Sequence, residues 1–212
     1  MLELAVKSLI ACLLGAVMGS LVLGRFRGVD IREMGSGNAG GTNALRTQGV
    51  AFALGVVIID IGKGWLAAHW LPQALLPGVP LDASLDRQWL TGACALGVIV
   101  GHVYPVWYEF RGGKGGATLV GAALGIDWVL LIPALAVWLL LVVLTGFVSL
   151  GTIAAAIALA VATWLVLEPP SIALTAAFTA AAALIAYAHR DNVARMLAGN
   201  ESRARRLWLF GR

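Results

Sequence analysis

Long apolar runs, separated by short polar segments, cover most of the chain. They are continuous and do not alternate residue by residue, which favours membrane-spanning helices over β-barrel strands. A helix needs about 17–25 residues to cross about 30 Å of hydrocarbon. Six runs are long enough, and they predict spans at about 2–24, 50–71, 89–108, 127–145, 148–167 and 170–188.

A seventh apolar run, at 115–125, is too short to cross the hydrocarbon comfortably. It does not join the following run, because a combined segment at 115–145 would carry Asp127 and Pro133 in its interior. We predict a short span buried in protein. The pattern thus indicates an all-α, polytopic integral membrane protein with seven transmembrane helices, one of them short.

The basic residues predict the orientation of these spans. With seven spans, the loops 25–49 and 109–114, the turn 146–147 and the C-terminal tail share one side. These segments hold 12 of the 15 basic residues: Arg25, Arg27, Arg32, Arg46, Arg111, Lys114, Arg190, Arg195, Arg203, Arg205, Arg206 and Arg212. Cytoplasmic loops are enriched in Lys and Arg, so we expect the N-terminus outside and the C-terminus in the cytoplasm. Six spans would move the basic tail to the opposite side.

The composition agrees with a membrane protein. The chain has 212 residues, 60% hydrophobic and 12% charged, whereas soluble domains average about 45–50% and about 25%. One transmembrane domain over 1–212 accounts for the sequence, without a separate soluble domain. Cys12 and Cys94 lie within apolar runs and are expected to be buried thiols and not a disulfide.

Two glycine-rich segments interrupt the apolar pattern. Residues 111–118 read Arg-Gly-Gly-Lys-Gly-Gly-Ala-Thr, and residues 35–46 read Gly-Ser-Gly-Asn-Ala-Gly-Gly-Thr-Asn-Ala-Leu-Arg. Glycine allows the backbone to approach an anion closely and to turn its N–H groups toward it. Two such segments on one membrane face predict sites for two anionic groups.

Neither segment fits a nucleotide-binding motif. Gly35-x-Gly37-x-x-Gly40 matches the dinucleotide fingerprint by letters but lacks the preceding strand and the βαβ unit. Lys114 is followed by Gly115, where a P-loop requires Ser or Thr. An anion site at a helix start is the interpretation we favour.

A structural alternative exists for the first segment. Thr42 or Asn43 could cap the helix that carries Arg46. Such a cap alone does not explain why so many hydrogen-bond donors gather in one short segment.

Three polar residues inside the predicted spans require partners. Asp60 and Lys63 are three residues apart and can pair on one helix face, and burying either alone in lipid would be costly. Such a pair either fixes helix packing or contacts the substrate. His102 precedes Pro105, which bends or stops a helix, and a structural role is the interpretation we favour for this histidine.

The last predicted span is followed by His189-Arg190-x-Asn192-x-x-Arg195. On a continuing helix, His189 and Asn192 lie one turn apart and can face the same site. The arginines of this segment are also typical of anchors near anionic lipid.

Together these motifs resemble the signatures of one family, the bacterial acyl-phosphate:glycerol-3-phosphate acyltransferases (PlsY) of phospholipid synthesis. The resemblance rests on four segments in the correct order: 35–46, Asp60-x-x-Lys63-Gly64, Gly101-His102-x-x-Pro105 through 112–118, and the closing His189 motif. Gly116 stands where the family usually has valine, Tyr104 and Trp107 vary its aromatic positions, and the loop 72–88 carries no matching motif.

The resemblance implies that a fatty acyl group passes from acyl phosphate to the 1-hydroxyl of glycerol 3-phosphate, which gives lysophosphatidic acid. It implies a multi-pass protein of the bacterial inner (plasma) membrane with its active site facing the cytoplasm. No cofactor, metal ion or nucleic acid is expected. Membrane lipid surrounds the protein, a soluble acyl-phosphate synthase is a candidate partner, and a monomer is compatible with the sequence.

The resemblance also implies residue roles. Ser36, Arg46, Lys114, His189 and Asn192 would form the catalytic set that holds glycerol 3-phosphate. The acyl phosphate and its developing oxyanion would be bound by Asn38, Thr42, Asn43, Gly112 and Gly113, with Ser149 as an additional substrate-binding residue. Asp60, Lys63 and His102 would support the site.

The sequence contains no clear Ser-His-Asp or His-Asp pair. We therefore expect catalysis by positioning and electrostatics, with a substrate phosphate oxygen accepting the hydroxyl proton. A general base at His189 is the mechanistic alternative. The competing class of protein is a transporter or flippase for a phosphorylated small molecule. The polar motifs gather at one face and no inverted repeat is visible, which favours the enzyme.

Overall fold

The structure is a computed structural model that describes residues 1–205 and 207–211. Arg206 and Arg212, two of the basic residues counted above, lie outside the described residues. The described residues form ten α-helices: α1 Leu2–Gly15, α2 Gly19–Arg27, α3 Gly41–Gln48, α4 Val50–Trp65, α5 Arg87–Val103, α6 Gly116–Ile126, α7 Leu131–Thr145, α8 Val148–Leu165, α9 Ile172–Ala188 and α10 Arg190–Leu197. The predicted all-α class is confirmed.

Helices occur at all of the predicted apolar runs. Five stretches are long and apolar enough to cross a membrane: Leu2–Arg27, Val50–Gln73, Arg87–Tyr108, Trp128–Thr145 and Val148–Leu165. A sixth would combine α9 with α10, which are bent by 53° at their junction, and α6 is the short apolar helix. The count of seven spans and their orientation stay predictions.

The chain divides into two compact units. The N-terminal unit, Met1–Ile126, contains α1 to α6, and the C-terminal unit, Asp127–Arg212, contains α7 to α10. The single domain predicted over 1–212 stays a prediction.

A break in the first span is stabilised by a buried ion pair. Lys63 Nζ donates to the carbonyl oxygens of Gly15 (2.9 Å) and Val17 (2.8 Å), where α1 ends. Asp60 Oδ1 accepts from the N–H of Gly19 at 3.3 Å, where α2 begins, and lies 2.9 Å from Lys63 Nζ. The pair therefore satisfies backbone groups that the break leaves without intrahelical partners. The expectation that both residues have partners is confirmed.

Glycines allow the helices of the N-terminal unit to approach closely. A methyl group at Gly101 in α5 would collide with the Cys12 carbonyl oxygen of α1. One at Gly121 in α6 would collide with the Ile61 carbonyl oxygen of α4. Such small residues are the usual means by which membrane helices pack backbone to backbone.

The loop 72–88 is held by a second buried charge cluster. Glu3 accepts from Lys7 Nζ (2.8 Å), from Arg87 Nη1 (2.9 Å) and from the backbone N–H of Asp82 (2.9 Å). Lys7 also donates to the Pro72 carbonyl oxygen at 2.9 Å. The charges near the N-terminus thus fix both ends of this loop on α1.

In the C-terminal unit, the tail folds back on the turn between α7 and α8. The backbone N–H of Ala204 donates to the Gly146 carbonyl oxygen at 2.8 Å, and that of Leu209 donates to the Val143 carbonyl oxygen at 2.9 Å. The Arg203 guanidinium lies over the ring of Phe147, 4.7 Å from its centroid. Arg203 is therefore packed within its own unit.

Candidate active site

The first glycine loop, residues 34–40, is organised by the side chain of Asn43. This side chain is 1% exposed. Its amide nitrogen lies 2.9–3.0 Å from the carbonyl oxygens of Ile31, Met34 and Asn38, and its Oδ1 accepts from the N–H of Ser36 at 2.9 Å. Two amide hydrogens are shared among three carbonyls, so the hydrogen-bonding capacity of the side chain is fully used by the loop.

The structural alternative, in which Thr42 or Asn43 caps the following helix, is wrong. Helix α3 begins at Gly41 with Gly40 as its N-cap, and no side chain bonds to this end. Thr42 and Asn43 lie inside the first turn. The Asn38 side chain lies beside the start of α3 instead. A methyl group added at Gly40 would lie 2.7 Å from its amide nitrogen.

Several predicted site residues in the first glycine loop and in α3 are exposed to solvent. Ser36, Thr42 and Arg46 are exposed, and Asn38 is half-buried. Thr42 and Arg46 are four residues apart on α3 and share one face. The loop itself is anchored from below, because the buried Ser20 hydroxyl donates to the Ala39 carbonyl oxygen at 2.6 Å.

The second glycine loop, residues 109–115, is held by its backbone. The N–H of Gly112 donates to the Val103 carbonyl oxygen (3.2 Å), and the N–H of Gly113 donates to the His102 carbonyl oxygen (3.1 Å). These acceptors are among the last carbonyls of α5, which need donors from outside the helix. The two N–H groups assigned above to the oxyanion therefore have partners within the protein, and their contact with substrate stays a prediction.

The second glycine loop also has no room for added side chains. A methyl group at Gly112 would collide with the His102 carbonyl oxygen, and one at Gly113 would collide with the His102 imidazole. Lys114 is half-buried between Gly113 and the start of α6. Lys114 thus directly follows two closely packed glycines.

His102 connects this loop to the buried ion pair of α4. Its side chain is 3% exposed, and its Nδ1 lies 3.6 Å from Asp60 Oδ1, beyond normal hydrogen-bond distance. The other side of the ring packs against Gly113. Asp60, Lys63 and His102 therefore form a continuous polar column from the break in the first span to the second glycine loop, which agrees with the supporting role predicted for them.

The structure brings the two glycine loops together. Ala39 of the first loop shares an apolar cluster with Met18, Leu21 and Tyr108, and Tyr108 directly precedes the second loop. Arg32, just before the first loop, donates to the Tyr108 carbonyl oxygen at 3.2 Å. Sequence reasoning did not single out Arg32 as a connection between the two loops.

In the C-terminal unit, the expected continuation of the last helix past His189 is wrong. The chain bends by 53° there, and the backbone of His189 (φ −97°, ψ 7°) departs from helical geometry. Its Nδ1 lies 2.8 Å from the Ile185 carbonyl oxygen. A carbonyl only accepts, so Nδ1 carries a proton, and in the neutral form of the ring the lone pair lies on Nε2.

Ser149 and Asn192 converge on an acidic residue that the sequence analysis missed. Glu201 Oε1 accepts from Asn192 Nδ2 (2.5 Å) and from the Ser149 hydroxyl (3.3 Å), and Glu201 Oε2 accepts from Arg195 Nε (2.7 Å). The Glu201 side chain is 7% exposed. A signal was available, since Glu201 is the lone acidic residue in an otherwise basic C-terminal segment after Asp191.

Fold and site together define a class of protein: an all-helical integral membrane protein with two joined glycine loops that carry cationic and hydrogen-bonding side chains. Comparison with known proteins makes the class specific. Residues 5–199 match the family described as glycerol-3-phosphate acyltransferase. A relative of that name from Rhodospirillum rubrum is 42% identical over 204 residues, which cover 95% of this chain and 91% of the relative. One from Synechococcus sp. (strain JA-3-3Ab) is 35% identical, with 95% and 96% covered.

A solved structure is similar over almost the entire chain. It is PlsY (YgiH), an integral membrane glycerol 3-phosphate acyltransferase in its glycerol 3-phosphate form, with a TM-score of 0.81, 29% identity and 94% of each chain covered. Its lysophosphatidic acid form gives a TM-score of 0.79 at 28% identity. The present chain belongs to the glycerol-3-phosphate acyltransferase family. The predicted family and the predicted enzyme class, a membrane acyltransferase, are confirmed.

Proposed function

We propose that this chain transfers a fatty acyl group from acyl phosphate to the 1-hydroxyl of glycerol 3-phosphate and releases lysophosphatidic acid and inorganic phosphate. The observation that carries the proposal is the pairing of two glycine loops within one unit. Together the loops offer groups suited to two phosphates, and apolar helices beside them suit a fatty acyl tail. Membership of the family supports the same reaction.

The two loops and the start of α3 are proposed to hold both substrates together. Ser36, Arg46 and Lys114 bind the phosphate of glycerol 3-phosphate through charge-assisted hydrogen bonds. Asn38 and Thr42 bind the acyl phosphate at the start of α3, where helix N–H groups and the helix dipole favour an anion. Preorganised donors of this kind each contribute about 10²–10³ in rate.

Other predicted residues are proposed either to determine the shape of the site or to bind a substrate. Asn43, Gly112 and Gly113 determine the loop conformations, with direct contact to the acyl phosphate as the alternative for each. His189 and Asn192 are proposed to bind glycerol 3-phosphate, as the family resemblance implies, and Ser149 is proposed as an additional substrate-binding residue.

The proposed chemistry needs little acid catalysis. The 1-hydroxyl oxygen attacks the acyl carbonyl carbon, the bond from that carbon to the bridging phosphate oxygen breaks, and inorganic phosphate leaves. A substrate phosphate oxygen takes the hydroxyl proton. The alternative assigns this proton to Nε2 of His189, which the hydrogen bond from Nδ1 leaves as the basic nitrogen.

The proposed location is the bacterial inner membrane, with both loops facing the cytoplasm. The arginine and lysine distribution supports this orientation. A soluble acyl-phosphate synthase on the same side is the proposed source of the donor.

Purified protein in detergent tests the proposal. Acyl phosphate and glycerol 3-phosphate should yield lysophosphatidic acid and inorganic phosphate in equal amounts, without a second compartment. The same assay with an acyl thioester as donor should yield far less product. Failure to form lysophosphatidic acid from acyl phosphate would contradict the proposal, and transport into proteoliposomes without product would favour the transporter.

A further inference from the structure

Two consecutive residues of the second glycine loop have an unfavourable backbone conformation. Glu109 and Phe110 have φ angles of 58° and 59°, in the left-handed region that side chains other than glycine and asparagine rarely adopt. Phe110 is 61% exposed, so burial of its ring does not stabilise this conformation. Backbone hydrogen bonds from Phe110 to Pro105 (3.1 Å) and from Arg111 to Tyr108 (3.0 Å) close the turn at this pair, which ends four residues before Lys114.

Arg32 contacts the backbone on both sides of this pair. Its Nη1 lies 3.2 Å from the carbonyl oxygen of Tyr108, just before Glu109, and 3.5 Å from that of Arg111, just after Phe110. The guanidinium also lies over the Tyr108 ring, 5.9 Å from its centroid. The side chain is 17% exposed, so these contacts are partly shielded from water.

The remaining donors of Arg32 are fixed by Asp30. Arg32 Nη2 donates to Asp30 Oδ2 at 2.6 Å, and Arg32 Nε lies 3.0–3.1 Å from both carboxylate oxygens. Asp30 in turn accepts from the backbone N–H of Arg32 at 2.9 Å. The hydrogen bonds from Arg32 hold the pKa of the Asp30 carboxyl below its ordinary value, so the pair is ionised at neutral pH.

We propose that Arg32 is a positioning residue for acyl transfer, because it holds Glu109 and Phe110 in the left-handed conformation and so fixes the second glycine loop against the first. Arg32 lies two residues before the first loop in the chain, and its guanidinium bonds to carbonyl oxygens on both sides of Glu109 and Phe110. It therefore sets the position of Lys114 relative to Asn38 and Thr42. The effect on catalysis rests on the function proposed above, whereas the effect on loop conformation does not.

Lysine should not replace Arg32. The planar guanidinium offers five donors in a fixed fork, which here serve a carboxylate on one side and two carbonyls on the other. A lysine ammonium can pair with Asp30 but cannot also reach both carbonyl oxygens in that geometry.

The first test measures loop conformation without any reaction. Hydrogen–deuterium exchange of the full chain in detergent compares Arg32→Gln with Arg25→Gln, which removes the same charge at an exposed position at the end of α2. The N–H groups of Phe110 and Arg111 donate to the carbonyl oxygens of Pro105 and Tyr108. They should exchange at least about tenfold faster in Arg32→Gln alone, in line with loss of one charge-assisted contact. Equal exchange in both variants would overturn the proposal.

The second test separates positioning from binding. In Arg32→Lys and Arg32→Gln, kcat should fall by about 10–100-fold because the substrates lose their alignment. The KM for each substrate should change by less than about threefold, since each loop keeps its own ligand groups. A change confined to KM, or a fully active Arg32→Lys, would overturn the proposal. Arg25→Gln should match wild type.

The third test is a rescue. Asparagine tolerates the left-handed region better than glutamate does, so Glu109→Asn should restore a large part of kcat in the Arg32→Gln background. Glu109→Ala removes the same charge without this preference and should restore none. Equal activity of the two double variants would overturn the proposal. Inactive wild-type protein would instead refute the proposed function, and the exchange experiment would still decide the role of Arg32.

Discussion

The two glycine loops have similar compositions but are stabilised in different ways. A buried side chain holds the first loop, since Asn43 bonds to three carbonyls and one N–H. Backbone groups hold the second, since the N–H groups of Gly112 and Gly113 bond to the end of α5. The first loop should therefore be sensitive to loss of one polar group, and the second to added volume.

The difference follows from what each loop connects. The first loop turns between a 3₁₀ turn at Ile31–Glu33 and the start of α3, so its carbonyls point inward and need a donor. The second follows the end of a helix, where the last carbonyls already need donors that the loop can supply. Glycine serves close approach in both cases, and in the first loop one buried side chain also bonds to four backbone groups.

The largest effect is expected when the cationic side chain of the second glycine loop is removed. Lys114→Ala should nearly abolish acyl transfer, because the ammonium and its three donors are lost from the proposed phosphate site. The loop itself should remain, since its contacts to α5 are made by backbone atoms. Activity assays on folded, membrane-inserted protein check this, and activity within a few-fold of wild type would remove Lys114 from the site.

A second large effect is expected at the scaffold of the first glycine loop. Asn43→Ala removes one hydrogen bond from each of three carbonyls and from the Ser36 N–H. The Ile31 and Met34 carbonyls keep backbone donors, so the cost of about 1–3 kcal/mol for each buried unsatisfied group falls on the Asn38 carbonyl and the Ser36 N–H. Activity should fall more than about 100-fold, and the unfolding temperature should fall as well. Asn43→Asp should do no better, because a carboxylate cannot donate to those carbonyls.

Thr47→Ala on the same helix is the matched control for Asn43. Thr47 donates only to the carbonyl oxygen of Asn43, at 2.9 Å, so activity should stay within about threefold of wild type, as for a local helix bond. Equal losses in the Thr47 and Asn43 variants would show that Asn43 has no special part in the loop.

Added volume should harm the second glycine loop. Gly112→Ala meets a backbone carbonyl and Gly113→Ala meets the edge of the His102 ring, which can shift more easily. We expect about a 10–100-fold loss of activity for Gly112→Ala and a smaller loss for Gly113→Ala, by analogy with overpacked cores that cost about 1–3 kcal/mol. Steady-state kinetics would reveal the order, and the reverse order would contradict the geometry.

Gly62→Ala provides the control for these glycine variants. A methyl group at Gly62 in α4 would meet nothing within 4 Å, and alanine favours a helix by about 0.8–1.0 kcal/mol over glycine. The variant should be active and at least as stable as wild type. A damaging Gly62→Ala would show that any added methyl group in this unit is harmful.

The smallest effect is expected at His189. Asn in its place keeps hydrogen-bonding capacity but cannot take up a proton as an imidazole can. His189→Asn should raise the KM for glycerol 3-phosphate and leave the pH–rate profile similar in shape, with His189→Ala more impaired. Loss of the titrating limb together with collapsed turnover and normal affinity would assign the general base to His189.

The helices could be predicted from the sequence because each apolar run carries its own signal. The break between α1 and α2 could not, since it depends on Asp60 and Lys63, more than 40 positions later in the chain. The sequence likewise predicts that the glycine loops bind anions. It does not show that the hydrogen-bonding groups of the Asn43 side chain are all used by backbone groups of the loop. Such partners are set by tertiary packing, which local patterns do not contain.

Glu201 and Arg32 were missed for the same reason. Glu201 meets Ser149 across 52 positions, and Arg32 meets the Tyr108 carbonyl across 76. Every residue has a backbone carbonyl, so the sequence does not show which carbonyl a side chain will bond to. A side chain that acts through such a hydrogen bond cannot be recognised from the residues next to it in the sequence.

The central claim is that Lys114 of the second glycine loop binds the phosphate of glycerol 3-phosphate, whereas Asn38 of the first glycine loop binds that of the acyl phosphate. Equilibrium binding of glycerol 3-phosphate and of a non-reactive acyl phosphonate, measured for wild type, Lys114→Ala and Asn38→Ala, tests it directly. Lys114→Ala should lose about 10–100-fold in affinity for glycerol 3-phosphate and keep the phosphonate, and Asn38→Ala should show the reverse pattern. If both variants weaken the binding of the same ligand, or weaken the binding of both ligands equally, the assignment of Lys114 and Asn38 to different substrates is wrong.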